Sequence, residues 1–289
     1  MAVSDKRLVW IMLSLFFSCP NNRLWEIMKN YSSAAELYDD LINRRCGFIT
    51  EKEAEHIGFC SEAQGLSVIK SCEKRGIYIL TYEDNAYPER LRKLYCPPAV
   101  LYCRGDISSL NCERTVAVIG AREASEYSLK AAYAFTNAIA KRGICIISGL
   151  ANGIDQIAHK SALKADGMTC GVMGCGLEYD YPKGSGRLKE AICRKGTVIS
   201  EYMPQTRPAP ENFKVRNRII AALSDAVIVI QASEHSGTLN TVNHALELSK
   251  EIFVIPPHDI LSDDYTGQSV LIEEGATPLY RLSQILDSI

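Results

Sequence analysis

Val116-Ala117-Val118-Ile119-Gly120-Ala121-Arg122 and, one helix later, Ile144-Cys145-Ile146-Ile147-Ser148-Gly149 are the stretches that decide the fold. Each is a short apolar run, rich in β-branched residues, that stops at a small residue. Helical periodicity from about Ser125 to Lys141 separates them, and a second helix is expected through Ala151–Asp155. Two buried strands, each closed by a tight turn that opens a helix, begin a doubly wound parallel sheet. Both turns fall on one edge of that sheet, where helix N-termini offer free N–H groups to anions.

Working outward, the same texture recurs. Strands are expected at Met168–Met173, Gly196–Ser200, Ala226–Ile230 and Ile252–Ile255. Helical stretches at Arg187–Arg194, Asn217–Leu223 and about Leu239–Ser249 lie between them, so the sheet is α/β and mostly parallel. Upstream, Ile77–Leu80 and Ala99–Tyr102 read as strands, with a short helical segment from Tyr87-Pro88 to Leu94. Before Gly76 no strand pattern occurs. Leu8, Ile11, Met12 and Leu15 recur at helical spacing, Ser32-Ser33 cap a helix over Ala34–Ile42 with Glu36 placed for a capping box, and further helices are expected at Glu51–Ile57 and Ala63–Arg75. The domain boundary is therefore expected near residue 72, dividing a small helical domain (1–72) from an extended Rossmann-like domain (73–289).

The 289 residues suffice for two domains, and 47% hydrophobic with 23% charged residues is an ordinary globular composition. A net charge of −2 announces no overall basic field, so any anion site must be a local patch. The 11 cysteines include no C-x-x-C pair and no zinc-ligand spacing; several lie inside apolar strands, which fits reduced thiols in a cytoplasmic compartment. Lys6-Arg7 followed by Leu8–Phe17 superficially resembles a signal peptide. No small-residue cleavage site precedes Pro20 and the run is short for a span, so it reads as a first core helix and no membrane association is expected.

Three constellations bear on chemistry. The first is the series of strand-end turns at Gly120, Ser148-Gly149, Gly174-Cys175-Gly176 and Ser236-Gly237-Thr238. Glycine permits close approach of a ligand, although α/β turns use glycine in any case. None spells G-x-G-x-x-G or a P-loop, which argues against a nucleotide cofactor. The second is Asn212-Phe213-Lys214-Val215-Arg216-Asn217-Arg218, the densest basic stretch, following the proline-rich Met203–Pro210 loop. It reads either as a solvated helix start or as a phosphate-binding segment in which Phe213 stacks on a base. Cations at a helix N-terminus oppose the helix dipole, which favours an anionic ligand. The third is Arg122, beside the turn glycine. Acid–base groups are sparse: Asp155 and His159 share a helix face but present no imidazole to Ser148, so no catalytic residue and no metal ligand is assigned.

Taken together, Val116–Arg122, Ser148-Gly149-Leu150-Ala151-x-Gly153-Ile154-Asp155, Gly174-Cys175-Gly176-Leu177, Tyr181-Pro182, Ser200-Glu201-Tyr202, Asn212-Phe213-x-x-Arg216-Asn217-Arg218 and Ser236-Gly237-Thr238 resemble the DprA/Smf family of DNA-processing proteins. The likeness runs from about residue 76 to 280. It implies a non-enzymatic single-stranded DNA-binding protein that forms a homodimer, protects incoming strands and delivers them to the recombinase RecA in natural transformation. By that resemblance Arg122 holds a phosphate, Phe213, Lys214, Arg216 and Arg218 line the groove with Gly120, Ser148 and Gly149, Asn217 pins the segment, and Ser236-Gly237-Thr238 donate from a helix N-terminus. Leu239–Ser249 and Val270–Leu279 are the expected subunit or RecA contacts. The helical module corresponds to the family's small SAM-like domain, and the winged-helix module of some members is not expected. Asn152 stands where the family usually has Arg, Glu123 where a basic residue is common, Lys214-Val215 where Pro-Arg is frequent, and Ser269 where Asn is usual. The alternative is a nucleotide-processing enzyme resembling the phosphoribohydrolases, whose Pro-Gly-Gly-x-Gly-Thr turn and following Glu are not matched by Ser233–Thr238. A module that binds RecA without holding DNA is a third reading, suggested by the net acidic charge.

Overall fold

A computed structural model describes residues 5–289. Its centre is a nine-stranded sheet: β1 (Tyr78–Thr81), β2 (Val100–Gly105), β3 (Thr115–Ile119), β4 (Cys145–Ser148), β5 (Thr169–Met173), β6 (Thr197–Ser200), β7 (Ala226–Val229), β8 (Glu251–Val254) and β9 (Thr277–Pro278). The spatial order is β1-β2-β6-β5-β4-β3-β7-β8-β9. From β6 to β9 every pairing is parallel, whereas β2 runs antiparallel to both β6 and β1. The chain is an α/β protein with a Rossmann-like, mostly parallel sheet.

The interior strands are apolar throughout because helices cover both faces. Every residue of β3, β4 and β5 is buried. On one face Val116, Val118, Ile146 and Ile228 pack with Ile139, Ile154 and Ala158 from the helices Glu126–Ala140 and Ile154–Lys164. On the other, Ala117, Ile119, Ile147 and Val227 pack with Ile219–Leu223 of the helix Pro210–Leu223.

Five helices between Lys6 and Lys74 precede the sheet. The first, Lys6–Phe17, buries Leu8–Leu13 and Phe16 at the centre of that module, and Asp5 caps it by accepting from the Arg7 amide. Ser33 Oγ caps Ala34–Ile42 through the Glu36 amide. The Glu36 carboxylate, however, accepts from the amide and hydroxyl of Ser32 rather than from Ser33, so the box is displaced by one residue. The module's core is continuous with Tyr102, Val198 and Met173 at the sheet. Among the described residues no helix is long and apolar enough to cross a membrane.

Two expectations are corrected. The helix expected from Ala151 begins at Ile154: Leu150 (φ 60°) and Gly153 (φ 75°) hold left-handed backbone, and a Cβ at Gly153 would run into the Ala121 and Arg122 carbonyls. The basic stretch 212–218 is not a loop leading into a helix at Asn217. It lies within the helix Pro210–Leu223, with Pro210 in the first turn, where a missing N–H costs nothing and the fixed φ suits the helix. The helices Thr266–Glu273 and Leu282–Leu286 and the strand β9 were not anticipated.

Candidate nucleic-acid interface

The sheet order reverses at β3. The chain proceeds from β3 outward through β4, β5 and β6, then returns to place β7 on the other side of β3. β3 and β7 end side by side, Ile119 opposite Val229, and the ladder runs on through Ile230 N–H to Ile119 O (3.0 Å) and Ala121 N–H to Gln231 O (2.9 Å). The chains then part, one toward Arg122 and the other toward Ser236. A crevice must open there, and in open α/β sheets that is where ligands sit.

The cleft at this point has a volume of about 570 Å³. Gly120 and Arg122 form one wall and Ser236, Gly237 and Thr238 the other; Phe213, Lys214, Arg216 and Asn217 come from the Pro210–Leu223 helix. Its C-terminal half is anchored in the core, so its N-terminal half projects over the sheet edge. Phe213 packs nearly parallel to Tyr181 (centroids 5.0 Å apart, 27° between planes). The Arg122 and Arg216 guanidinium carbons lie 5.9 and 5.8 Å from the Phe213 centroid, within cation–π range. Arg122 is exposed. Lys214 pairs with Glu211 at 3.2 Å on the open surface, a contact worth little and easily exchanged.

The opposite wall is the N-terminus of the helix Gly237–Glu247, capped by Ser236 Oγ accepting from the Thr238 amide (3.1 Å). Asn217 Nδ2 donates to Asn240 Oδ1 (3.1 Å) and Asn217 Oδ1 accepts from Arg216 Nε (3.2 Å), bracing the two helices against each other. Beneath the loop, Gln268 Nε2 donates to Ile230 O (3.0 Å) and Ile255 O (2.6 Å), while its Oε1 accepts from the Ala232 amide (3.3 Å). The helix Thr266–Glu273 thus holds the ends of β7 and β8 and the start of the Ser233–Thr238 loop.

Below the cleft lies a buried polar layer. Arg216 Nη1 donates to Gly149 O (2.7 Å) and to Val172 O, capping the ends of β4 and β5. Asp155 Oδ2 accepts from the amides of Gly149 (3.1 Å) and Ala151 (3.3 Å). Burial pushes the Asp155 carboxyl up to about 6, against the pull of Arg216 and of these donors. Burial likewise lowers the Arg216 guanidinium, with Asp155 opposing that shift. His159 is fully buried. Burial and the nearby Arg216 charge push it down to about 3, its Nδ1 bonds Thr169 Oγ1 at 2.7 Å, and its Nε2 has no partner. Ser148 Oγ donates to Val118 O (2.7 Å). The Ser148 side chain also lies against the Asp155 carboxyl, but the Ser148 hydroxyl donates to Val118 O and His159 Nδ1 faces Thr169, so the three form no relay. Among the described residues no cluster of His, Cys, Asp or Glu could hold a metal ion.

The structure brings Gly120, Arg122, Phe213, Lys214, Arg216, Asn217, Ser236, Gly237 and Thr238 around one cleft. Ser148 and Gly149 lie in the buried layer, where a Cβ on Gly149 would sit 2.7 Å from Arg216 Nη2 and from Asp155 Oδ2. Arg218 is not among the residues lining the cleft: it faces away, and Nη2 donates to Glu201 Oε1 at 2.5 Å in an ion pair whose carboxylate is 1% exposed. Tyr181, the stacking partner of Phe213, stands in the sequence only as part of a Tyr-Pro motif, and its aromatic character just before a proline is the available signal.

The family model for "DNA recombination-mediator protein A" matches residues 78–289. The DNA processing protein DprA of Bacillus subtilis (strain 168) is 35% identical over 223 residues, covering 77% of this chain and 74% of its own. The X-ray structure of DNA processing protein A from Streptococcus pneumoniae has a TM-score of 0.78 at 30% identity, covering 97% of this chain and 98% of that one. A structure of DNA processing protein A from Helicobacter pylori, described for its single-stranded DNA binding mode, has a TM-score of 0.65 at 32% identity, covering 72% and 94%.

Proposed function

The chain belongs to the DNA recombination-mediator protein A family, and from that premise we propose that the switch-point cleft binds single-stranded DNA without sequence preference. The observation that carries the reading is the pairing, in one cleft, of an exposed guanidinium with a two-ring aromatic platform. Arg122 meets a phosphate, the Phe213–Tyr181 pair takes a base by stacking, and the capped helix end at Ser236–Thr238 faces a second phosphate. Arg216 supports this as a brace that also lends its charge, since its Nη1 already caps two strand ends and its Nε donates to Asn217 Oδ1. Arg218 lies outside this cleft, paired with Glu201.

The finer reading follows the family likeness. The protein shields incoming strands and passes them to the RecA recombinase during natural transformation, acts as a homodimer in the cytoplasm, and divides near residue 72 into a helical and a Rossmann-like domain.

A fluorescence-anisotropy titration of labelled oligo-dT at several salt concentrations tests the proposal. Each phosphate neutralised lowers the log–log slope by about 0.7. With Arg122 and Lys214 as the exposed cations, the cleft gives a slope of roughly −1.4, and Arg122→Ala halves it. A mixed-sequence oligonucleotide binds about as well as oligo-dT. Failure of wild-type protein to bind at low salt would refute the assignment, and release of free base from nucleoside monophosphates would replace it with the enzymatic alternative.

A further inference from the structure

Helix geometry divides the Pro210–Leu223 segment into two faces. Phe213, Arg216, Asn217 and Ile220 look into the switch-point cleft. Val215 and Arg218 look instead into a second groove of about 570 Å³, and Lys214 stands on the rim shared by both. The far wall of this second groove comes from elsewhere in the chain: Pro20 and Asn22 of the helical module, and Lys93-Leu94-Tyr95-Cys96 from the turn before β2.

Two features there lack a structural reason. Tyr95 is 78% exposed, although it is large and aromatic, and the Lys29 ammonium lies 5.8 Å from its ring centroid. At the groove floor, Arg218 spends only Nη2 on Glu201. Its Nε and Nη1 have no partner, although the residue is only 9% exposed. Lys29, Lys93, Lys214 and Arg218 thus bring four positive charges around one exposed ring. The acids nearby are each paired: Glu201 with Arg218, Glu247 with His244 at 3.2 Å, Glu211 with Lys214 at 3.2 Å on the open surface, and Glu26 with Arg23 at 3.0 Å.

We propose that a bound strand leaves the switch-point cleft over Lys214 and continues through this second groove, with a base stacked on Tyr95 and its phosphates held by Lys93 and Lys29. The inference rests on the reading of the first cleft as a single-strand site and extends it across the helix. The chemistry is the same on both sides: cations along a path, and an aromatic face beside them that tolerates any base.

The test uses the full chain with a short probe, dT6, that fills the first cleft, and a long one, dT20, that reaches the second. Tyr95→Ala weakens dT20 about tenfold and leaves dT6 unchanged, because one base–aromatic stack is lost. Lys93→Glu lowers the salt slope for dT20 by about one and leaves that for dT6 unaltered. Tyr95 and Lys93 lie on the surface of the groove, so both variants fold, which their melting temperatures check. Equal binding of dT20 by wild type and both variants overturns the proposal, as does equal weakening of dT6 and dT20. An effect of Tyr95→Ala on RecA assembly with dT20 binding intact also overturns it, assigning the groove to a protein. If wild type binds neither probe, the first cleft's assignment falls instead.

Discussion

His159 offers a direct test of the buried layer under the cleft. It is fully buried, and its Nδ1–H donates to Thr169 Oγ1, whose own proton goes to the Ile146 carbonyl (2.7 Å). Protonating Nε2 would place a charge beside Arg216 with no partner, so the folded-state value falls to about 3 from an ordinary 6.5. Stability from this group is therefore fully present above pH 6.5 and is lost as pH falls toward 3. Between those values the unfolded chain holds nearly one more proton, which gives a slope of about 1 kcal/mol per pH unit. Asp155, six residues after Gly149, works in the opposite sense. Its folded value of about 6 lies above the ordinary 3.8, so its contribution is greatest below 3.8 and is lost as pH rises through 6. From pH 4 to 6 the two slopes oppose each other and largely cancel. His159→Asn, which retains a donor for Thr169, removes one of them. In urea unfolding at pH 4, 5, 6 and 7, the variant's stability relative to wild type rises by about 1 kcal/mol for each unit of acidification between pH 6 and 4. Asp155→Asn shows the mirror image, its relative stability falling over the same range. The cavity left by either change adds a constant and does not enter the slope. A difference between variant and wild type that is flat with pH would refute the buried-neutral assignment of His159.

Three further outcomes follow from the same geometry. Gly149→Ala forces Arg216 off its carbonyls, since the new methyl lies 2.7 Å from Nη2; it costs about 1–3 kcal/mol in thermal unfolding and weakens oligo-dT binding with it. Phe213→Ala separates binding from folding: the half-buried ring leaves the melting temperature within a few degrees of wild type, while oligo-dT affinity falls about tenfold or more by anisotropy. Glu201→Ala strands the Arg218 charge in the interior and destabilises by about 3–5 kcal/mol in denaturant unfolding, whereas Glu201→Leu combined with Arg218→Met restores most of that loss.

The strands around the cleft were legible because each is an uninterrupted apolar run, and only a sheet covered on both faces demands that pattern. The turn glycines were legible for a related reason, since strand-end small residues mark where a helix must start. What the residues did not disclose was the reach of the Pro210–Leu223 helix. The prolines at 204, 208 and 210 look like loop signals, yet Pro210 occupies the first turn of the helix, where proline is well suited. Misplacing that start hid the helical register, and without the register Arg216 and Arg218 cannot be told apart from Lys214. Gln268 was invisible for a different reason. A glutamine in a short helix carries no sign that its amide joins two strand ends across the core.

The register also settles how a chain of net charge −2 can present a cationic cleft. Of the basic residues between 212 and 218, Arg216 is drawn inward by the carbonyl ends of β4 and β5, and Arg218 by Glu201. A buried guanidinium tied to carbonyls or a carboxylate keeps its charge while part of its donor set is spent inside the fold, so it strengthens the local field. Arg122 and Lys214 supply the contacts, and each is placed by something else. Arg122 depends on Gly120 and Gly153, because a side chain at either would meet Ile154 or the Ala121–Arg122 backbone. Lys214 depends on the helix that Arg216 and Arg218 anchor. The exposed pair therefore owes its position to the buried pair, and losing an inward arginine should weaken ligand binding through displacement of Arg122 or Lys214 as much as through lost charge.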